Sequence, residues 1–147
     1  MLSKTFSATI IGIEAILIQV EIDLDRGLPA FDIVGLPNKA VRESRERVRA
    51  AIKNSGFEFP INRITINLAP ADIEKIGPHF DLAIAVGILA ANGALRKTNF
   101  SKYLFAGELS LTGKVQPVKG ILPMVLKASE KNINNIIVPE KNKKEAE

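Results

Sequence analysis

The chain of 147 residues contains no cysteine and a single histidine. Without thiols it has no disulfide framework, no thiolate zinc site and no thiol nucleophile, and one imidazole is too few for a multi-histidine metal centre. Aromatic residues are scarce, at 5%, and none interleaves with the arginines of the most basic segment, so base stacking is not suggested. Long apolar runs are missing too. In the opening "MLSKTFSATIIGIEAILIQVEIDLD" polar and acidic residues recur every few positions, and no small-residue cleavage site follows a charged start. That predicts neither a signal peptide nor a membrane span, and points to an intracellular, cytoplasmic protein. No G-x-x-x-x-G-K-[ST] phosphate loop occurs; "GLPNKA" lacks the glycines whose amides would hold phosphates. The spaced glycines of "GELSLTGKVQPVKG" read as turn formers and do not make G-x-G-x-x-G. No cofactor is therefore expected in this chain.

What is present fits one domain over residues 1–147. Hydrophobic residues make up 46%, enough to bury a single core, and charged residues 24% with both signs interspersed. A net charge of +4 and a pI near 9.4 permit a nucleic-acid or acidic partner without demanding one.

The pattern predicts strands at "TFSATIIGI" and "AILIQVEIDLD", paired as a hairpin across a short "GIE" break, a third strand at "FDIVGL" and a fourth at "RITINLAP". Asn38 is placed to cap a helix running through "KAVRESRERVRAAIKNSG" to Gly56, a C-terminal stop. "ADIEKIGPHF" reads as a polar loop ahead of an apolar helix, Asp81 to Ala91, stopped by Asn92 and Gly93. Then follow a strand at "YLFAGEL", a turn-rich connection, a helix at "ILPMVLKASEKN", a strand at "NNIIVPE" and a charged end. Strands interleaved with helices predict an α+β protein of layered, α/β type, a mixed sheet covered by helices.

Three groups of side chains are candidates for function. On the first helix, Val41, Ser44, Val48, Ala51 and Ile52 form the face that packs on the sheet, and Arg42, Arg45, Arg49 and Lys53 fall in a narrow sector beside it. That basic row can follow a phosphate backbone. It can equally be a solvated face, with Glu43 pairing Arg47 and Glu46 pairing Arg42 or Arg49 at about 0.3 kcal/mol each. Glu21, Asp23 and Asp25 share one strand face, as a carboxylate pair or a solvated surface. The lone His79 stands directly after Gly77 and Pro78, where it can serve a pH-sensitive contact or simply close the turn into the apolar helix.

"FSATIIGIEAILIQVEIDL", "IVGLPNKAVRESRERVRAAI", "INLAPADIEKIG", "GPHFD" and "GELSLTGKVQPVKGILPMVLKASE" come in an order and spacing that resemble one known family. The chain is similar, over nearly all its length, to the N-terminal domain of the ComM/YifB group of magnesium-chelatase-like AAA+ ATPases. The resemblance implies a fold like the proteolytic domain of Lon, shared with the C-terminal domain of RadA and with a ribosomal-protein domain. It also implies that the chain is part of a longer protein, in which this domain precedes an AAA+ module using ATP and Mg. Such proteins form hexameric rings and act in DNA branch migration during natural transformation. The expected partners are the protein's own AAA+ module, identical subunits, and DNA bound weakly and without sequence preference.

In Lon, the loop resembling "KIGPHFD" carries a nucleophilic serine after Gly-Pro, and the helix resembling "GILPMVLKASE" carries the lysine that activates it. Carried over by position, the serine falls on His79 and the lysine on Met124. A Ser-Lys dyad needs a hydroxyl and an amine of lowered pKa, so the resemblance implies a degenerate, non-catalytic site. Lys127, one turn on, is a conceivable displaced amine, and a residual hydrolase stays open on that account. A free-standing RNA-binding domain of the ribosomal-protein kind stays open too.

Overall fold

The computed structural model describes residues 2–95 and 100–146. A hairpin opens the chain: β1 (Leu2–Ile11) turns through Gly12 and Ile13 into β2 (Glu14–Asp25), with Ile11 opposite Glu14. Gly12 supplies the positive φ of 65° that the two-residue turn needs. β2 pairs antiparallel with β4 (Arg63–Ala69), and β4 pairs parallel with β3 (Ala30–Val34), giving the order β1-β2-β4-β3. The β3–β4 crossover carries α1 (Lys39–Arg42) and α2 (Ser44–Asn54). After β4 come α3 (Asp81–Ala91), β5 (Tyr103–Phe105), the small β6–β7 ribbon (Glu108–Leu109 and Val115–Gln116), α4 (Ile121–Glu130), β8 (Asn135–Ile137) and α5 (Lys143–Ala146). β5 and β8 pair in parallel. The α+β layering read from the sequence is what the structure contains.

The pleat divides the hairpin between two cores. Even-numbered Ile18, Val20, Ile22 and Leu24 of β2 face Val48 and Ile52 of α2 and Ile84 and Ile88 of α3. Odd-numbered Ala15 and Leu17, with Ala8 of β1, face Ile121, Met124 and Ala128 of α4. Because α4 covers only this end, Asp23 and Asp25 lie exposed further along the same strand face, and Glu21 accepts from Asn67 Nδ2 at 2.9 Å. Those acids form a solvated face.

α3 is apolar on all sides, and the fold buries it accordingly. Small residues let it lie close to the hairpin. Thr5 Oγ1 donates to Ala83 O at 2.9 Å and Ser3 Oγ to Gly87 O at 2.6 Å, and a Cβ on Gly87 would stand 2.1 Å from Ile22 Cδ1.

The long first helix is broken at Glu43, where Glu46 N takes Glu43 O at 3.1 Å in a tightened turn. Asn38 caps α1 as expected, its Oδ1 accepting from Val41 N at 3.0 Å. The predicted strand over 103–109 splits, because Ala106 N still follows β8 through Ile137 O while Gly107 N turns to His79 O. The charged end is not all tail. Asn142 is buried and exchanges hydrogen bonds with the backbone N and O of Val118 at 3.0 and 2.9 Å. The predicted polar loop 71–80 also needs correction, since Lys75, His79 and Phe80 within it are buried.

Candidate functional site

The loop from β4 to α3 lies against the rest of the molecule through its backbone and its polar side chains. Lys75 N donates to Leu36 O and Asn38 N to Lys75 O, both at 2.9 Å, fixing this loop to the β3–α1 loop. The buried Lys75 ammonium donates to Pro70 O, and desolvation lowers its pKa against the opposing pull of Asp72. Gly77 turns the chain at φ 107°, and Pro78 opens the single turn Pro78–Phe80 that leads into α3.

His79 is enclosed by that turn, with 6% of its surface exposed. Its Nε2–H donates to Ala8 O of β1 at 2.5 Å, and its ring lies 4.5 Å from that of Phe80. Burial lowers the imidazole pKa, opposed by the Ala8 hydrogen bond and by Asp81, so the neutral ring is the form that fits. His79 lines a 560 Å³ cavity with Ile10, Ile76, Pro117, Val118 and Lys119. None of the residues lining it carries a hydroxyl.

Met124 does not line this cavity, although its Cε would lie 3.8 Å from a Cβ on Gly120, which does. It is fully buried in the core beneath α4, beside Ile121 and Ala128. Lys127 pairs its Nζ with Glu130 Oε2 at 3.3 Å. The amine that does line the cavity is Lys119, in the Val-Lys-Gly turn before α4, which the sequence reading passed over.

Beside the loop stands the most saturated polar cluster among the described residues. Asp81 is fully buried at the start of α3. It accepts from Ser44 Oγ at 2.5 Å, Arg47 Nε at 2.6 Å, an Arg47 terminal nitrogen at 3.1 Å and Leu109 N at 3.0 Å. Arg47 therefore turns inward to Asp81 and not to Glu43, and its pKa is raised chiefly by that hydrogen bond. The sequence placed Asp81 correctly in the first turn. It did not show that Asp81 would staple α2, α3 and β6 together.

The basic row runs along the outer flank of α1 and α2. Arg42, Arg45 and Lys53 are exposed and Arg49 is half-exposed. Arg45 donates to Arg42 O at 3.2 Å and to Phe31 O at 3.3 Å, and Arg49 pairs with Glu46 at 3.5 Å. No aromatic interleaves with the arginines along the helix, but one reaches the row from outside it. After α2 ends at Asn54, the chain turns at Gly56, folds back and sets Phe59 beneath Arg49, whose guanidinium carbon lies 5.6 Å from the ring centroid. Phe59 in turn stacks on Phe31 at 5.9 Å. Phe59 lies ten residues beyond Arg49 and outside the helix, so helical periodicity carries no signal of the contact.

Among the described residues no group of three or more His, Cys, Asp and Glu side chains could hold a metal ion, and no helix is long and apolar enough to cross a membrane.

Comparison with known proteins places this arrangement. The family model described as "Subunit ChlI of Mg-chelatase" matches residues 20–142. Competence protein ComM of Haemophilus influenzae is 43% identical over 145 residues, covering 99% of this chain and 28% of that protein. YifB of Salmonella typhimurium is 46% identical over 130 residues, covering 88% of this chain and 26% of the relative. Lon protease of Karelsulcia muelleri is 32% identical over 145 residues, covering 93% of this chain and 16% of the protease. The chain thus spans little more than a quarter of the length of its ComM and YifB relatives. A fold-wide match to the ChlI model, with ComM and YifB the nearer relatives here and Lon a more distant one, shows that this chain belongs to the Mg-chelatase ChlI-type family that ComM and YifB share.

Proposed function

We propose that the chain is the non-catalytic, Lon-like N-terminal domain of a larger cytoplasmic ComM/YifB-type AAA+ ATPase, where it helps assemble a hexameric ring and contacts DNA weakly and without sequence preference. The activity of the whole protein is then ATP-driven DNA processing of the kind that branch migration in natural transformation requires. The observation that carries the DNA contact is the placement of Arg42, Arg45, Arg49 and Lys53 along one outer flank of α1 and α2, beside the β3 edge of the sheet. Exposed cations in a row meet phosphates by releasing counterions, which gives affinity without base readout.

Loss of protease chemistry is supported by the loop itself. His79 offers no hydroxyl, its Nε2–H is committed to Ala8 O, and the position carried over from the activating lysine holds a buried methionine. ATP and Mg belong to the AAA+ module of the longer protein. In this chain the β3–α1 loop closes on itself and on Lys75, through Asn38 Oδ1 to Val41 N and Asn38 N to Lys75 O, so it does not fit a triphosphate.

The test is fluorescence anisotropy of the chain with a labelled DNA duplex across salt concentration. Weak binding should fall linearly on logarithmic axes, with a slope near −0.9 per phosphate contact. Arg42→Gln and Arg45→Gln should each flatten that slope by about 1. Absence of binding at low salt removes the DNA contact. Turnover of an unfolded protein, abolished by His79→Ala, would restore the hydrolase reading.

A further inference from the structure

A 320 Å³ pocket opens at the end of the basic row, lined by Phe31, Arg49, Lys53, Phe59, Ile61 and Asn62. Its volume lies at the low end of the roughly 300–1,000 Å³ typical of ligand sites, the size of one flat ring system and not of an extended cofactor. The residues come from three places: β3 supplies Phe31, α2 supplies the two cations one turn apart, and the 57–62 return loop supplies Phe59, Ile61 and Asn62.

The chemistry of the lining is selective. The Phe31–Phe59 pair is stacked at 5.9 Å with rings 25° apart, and the Arg49 guanidinium stands over Phe59 at 5.6 Å, so the flat cation is backed by two layered rings. Planar aromatic bases stack on phenyl faces and on guanidinium planes alike. Asn62 provides an amide able both to donate and to accept at a base edge, and Lys53 is an exposed ammonium at the pocket wall. Ile61 projects from the rim with 83% of its surface exposed, an apolar group left uncovered next to two cations. Two carboxylates stand nearby, Glu46 paired with Arg49 at 3.5 Å and the exposed Glu58. The Glu46 pair is solvent-facing, and such pairs contribute little and open readily.

In a duplex the bases are stacked on each other and closed to such a platform. A single strand presents a free base with a phosphate on either side, and that unit matches a stacking plane flanked by cations. We infer that the Phe59–Arg49 pocket is a base-stacking site for single-stranded DNA, with Lys53 meeting the adjoining phosphate and Arg45 and Arg42 continuing the backbone track along the helix. This rests on the DNA contact proposed above, and extends it from a phosphate-only surface to one that distinguishes unpaired from paired strands.

The experiment compares binding of a labelled oligothymidine and a duplex of equal length to the intact chain, by anisotropy at low and moderate salt, with free thymidine monophosphate as competitor. The wild type should prefer the single strand. Phe59→Leu, which keeps an apolar plug but removes the π face, should weaken the single-strand complex about tenfold and leave the duplex complex nearly unchanged. Arg49→Lys, a surface change that keeps the charge, should also reduce the preference while preserving the salt slope. The thermal midpoint of Phe59→Leu, set against that of the wild type, controls for a folding defect in that variant. Equal binding of both DNAs, unmoved by either variant, overturns the stacking site while leaving the phosphate contact standing. Competition by the free monophosphate as strong, per nucleotide, as by the strand overturns the assignment to strands. No binding of either DNA at low salt removes the contact itself and the pocket's role with it.

Discussion

The loop around His79 and the flank around Arg49 use polar groups in opposite ways. In the first, the buried donors and acceptors are turned toward protein: His79 to Ala8 O, Lys75 to Pro70 O, Asp81 to Ser44, Arg47 and Leu109. Burial makes those bonds obligatory, since an unpaired polar group there costs its full desolvation energy. In the second, Arg42, Arg45 and Lys53 remain in solvent, and Arg49 rests on an aromatic face that it can leave at little cost. The difference teaches where new chemistry is available. The loop is a structural clasp, while the helix flank leaves Arg42 and Lys53 exposed to solvent and ties Arg45 and Arg49 only through contacts at its surface.

The sharpest way to break this contrast is Asp81→Ala. Removing a fully buried carboxylate leaves the Ser44 hydroxyl, Leu109 N and the Arg47 guanidinium without their shared acceptor. Because the Arg47 side chain is 21% exposed and can turn to water, the expected loss is about 3 kcal/mol, at the lower end for a broken buried pair. Urea denaturation measures it. A loss as small as that of a surface pair would mean that the cluster is not the clasp described.

Gly77→Ala comes next. The new Cβ would lie 2.8 Å from His79 Nδ1 on a backbone held at φ 107°, a conformation that L side chains rarely adopt. A destabilisation of about 2 kcal/mol is expected by thermal melting. A neutral outcome would show that the turn relaxes and that the His79 bond does not depend on it.

The smallest effect is a dependence on pH. The His79 pKa is lowered by burial, so between the unfolded value near 6.5 and the lower folded value the unfolded chain binds more protons. Stability should therefore be flat above about pH 6.5, fall as the pH drops through that window, and level off again once the folded-state imidazole is protonated. With one histidine in the chain, His79→Gln should remove this component of the melting profile. An unchanged profile in the variant would assign the slope to carboxylates instead.

The degree to which the site was legible varies with the range of the interactions that build it. Gly77, Pro78 and the start of α3 at Asp81 were readable because a positive-φ turn and an apolar run are local signals. The buried role of Lys75 was not, since a lysine in a polar stretch reads as solvated until a carbonyl such as that of Pro70 is placed against it. The buried side of α1 and α2 is legible residue by residue, as Val41, Ser44, Val48, Ala51 and Ile52, all of which are buried. Arg47 was misassigned to Glu43 because the helix rule counts neighbours along one helix and cannot see an acceptor 34 residues away.

By itself the sequence determined the α+β alternation, the hairpin, the capped first helix and its basic row, because periods of 2 and 3.6 residues and the special torsions of glycine act within a few residues. It also determined, through motifs in order, the family. Only the tertiary structure decided that Asp81 closes on Arg47, that Met124 is buried with Ile121 and Ala128, and that Phe59 lies under Arg49. Those contacts depend on how separate elements pack, and packing is set by the summed burial of the whole chain and not by any segment alone.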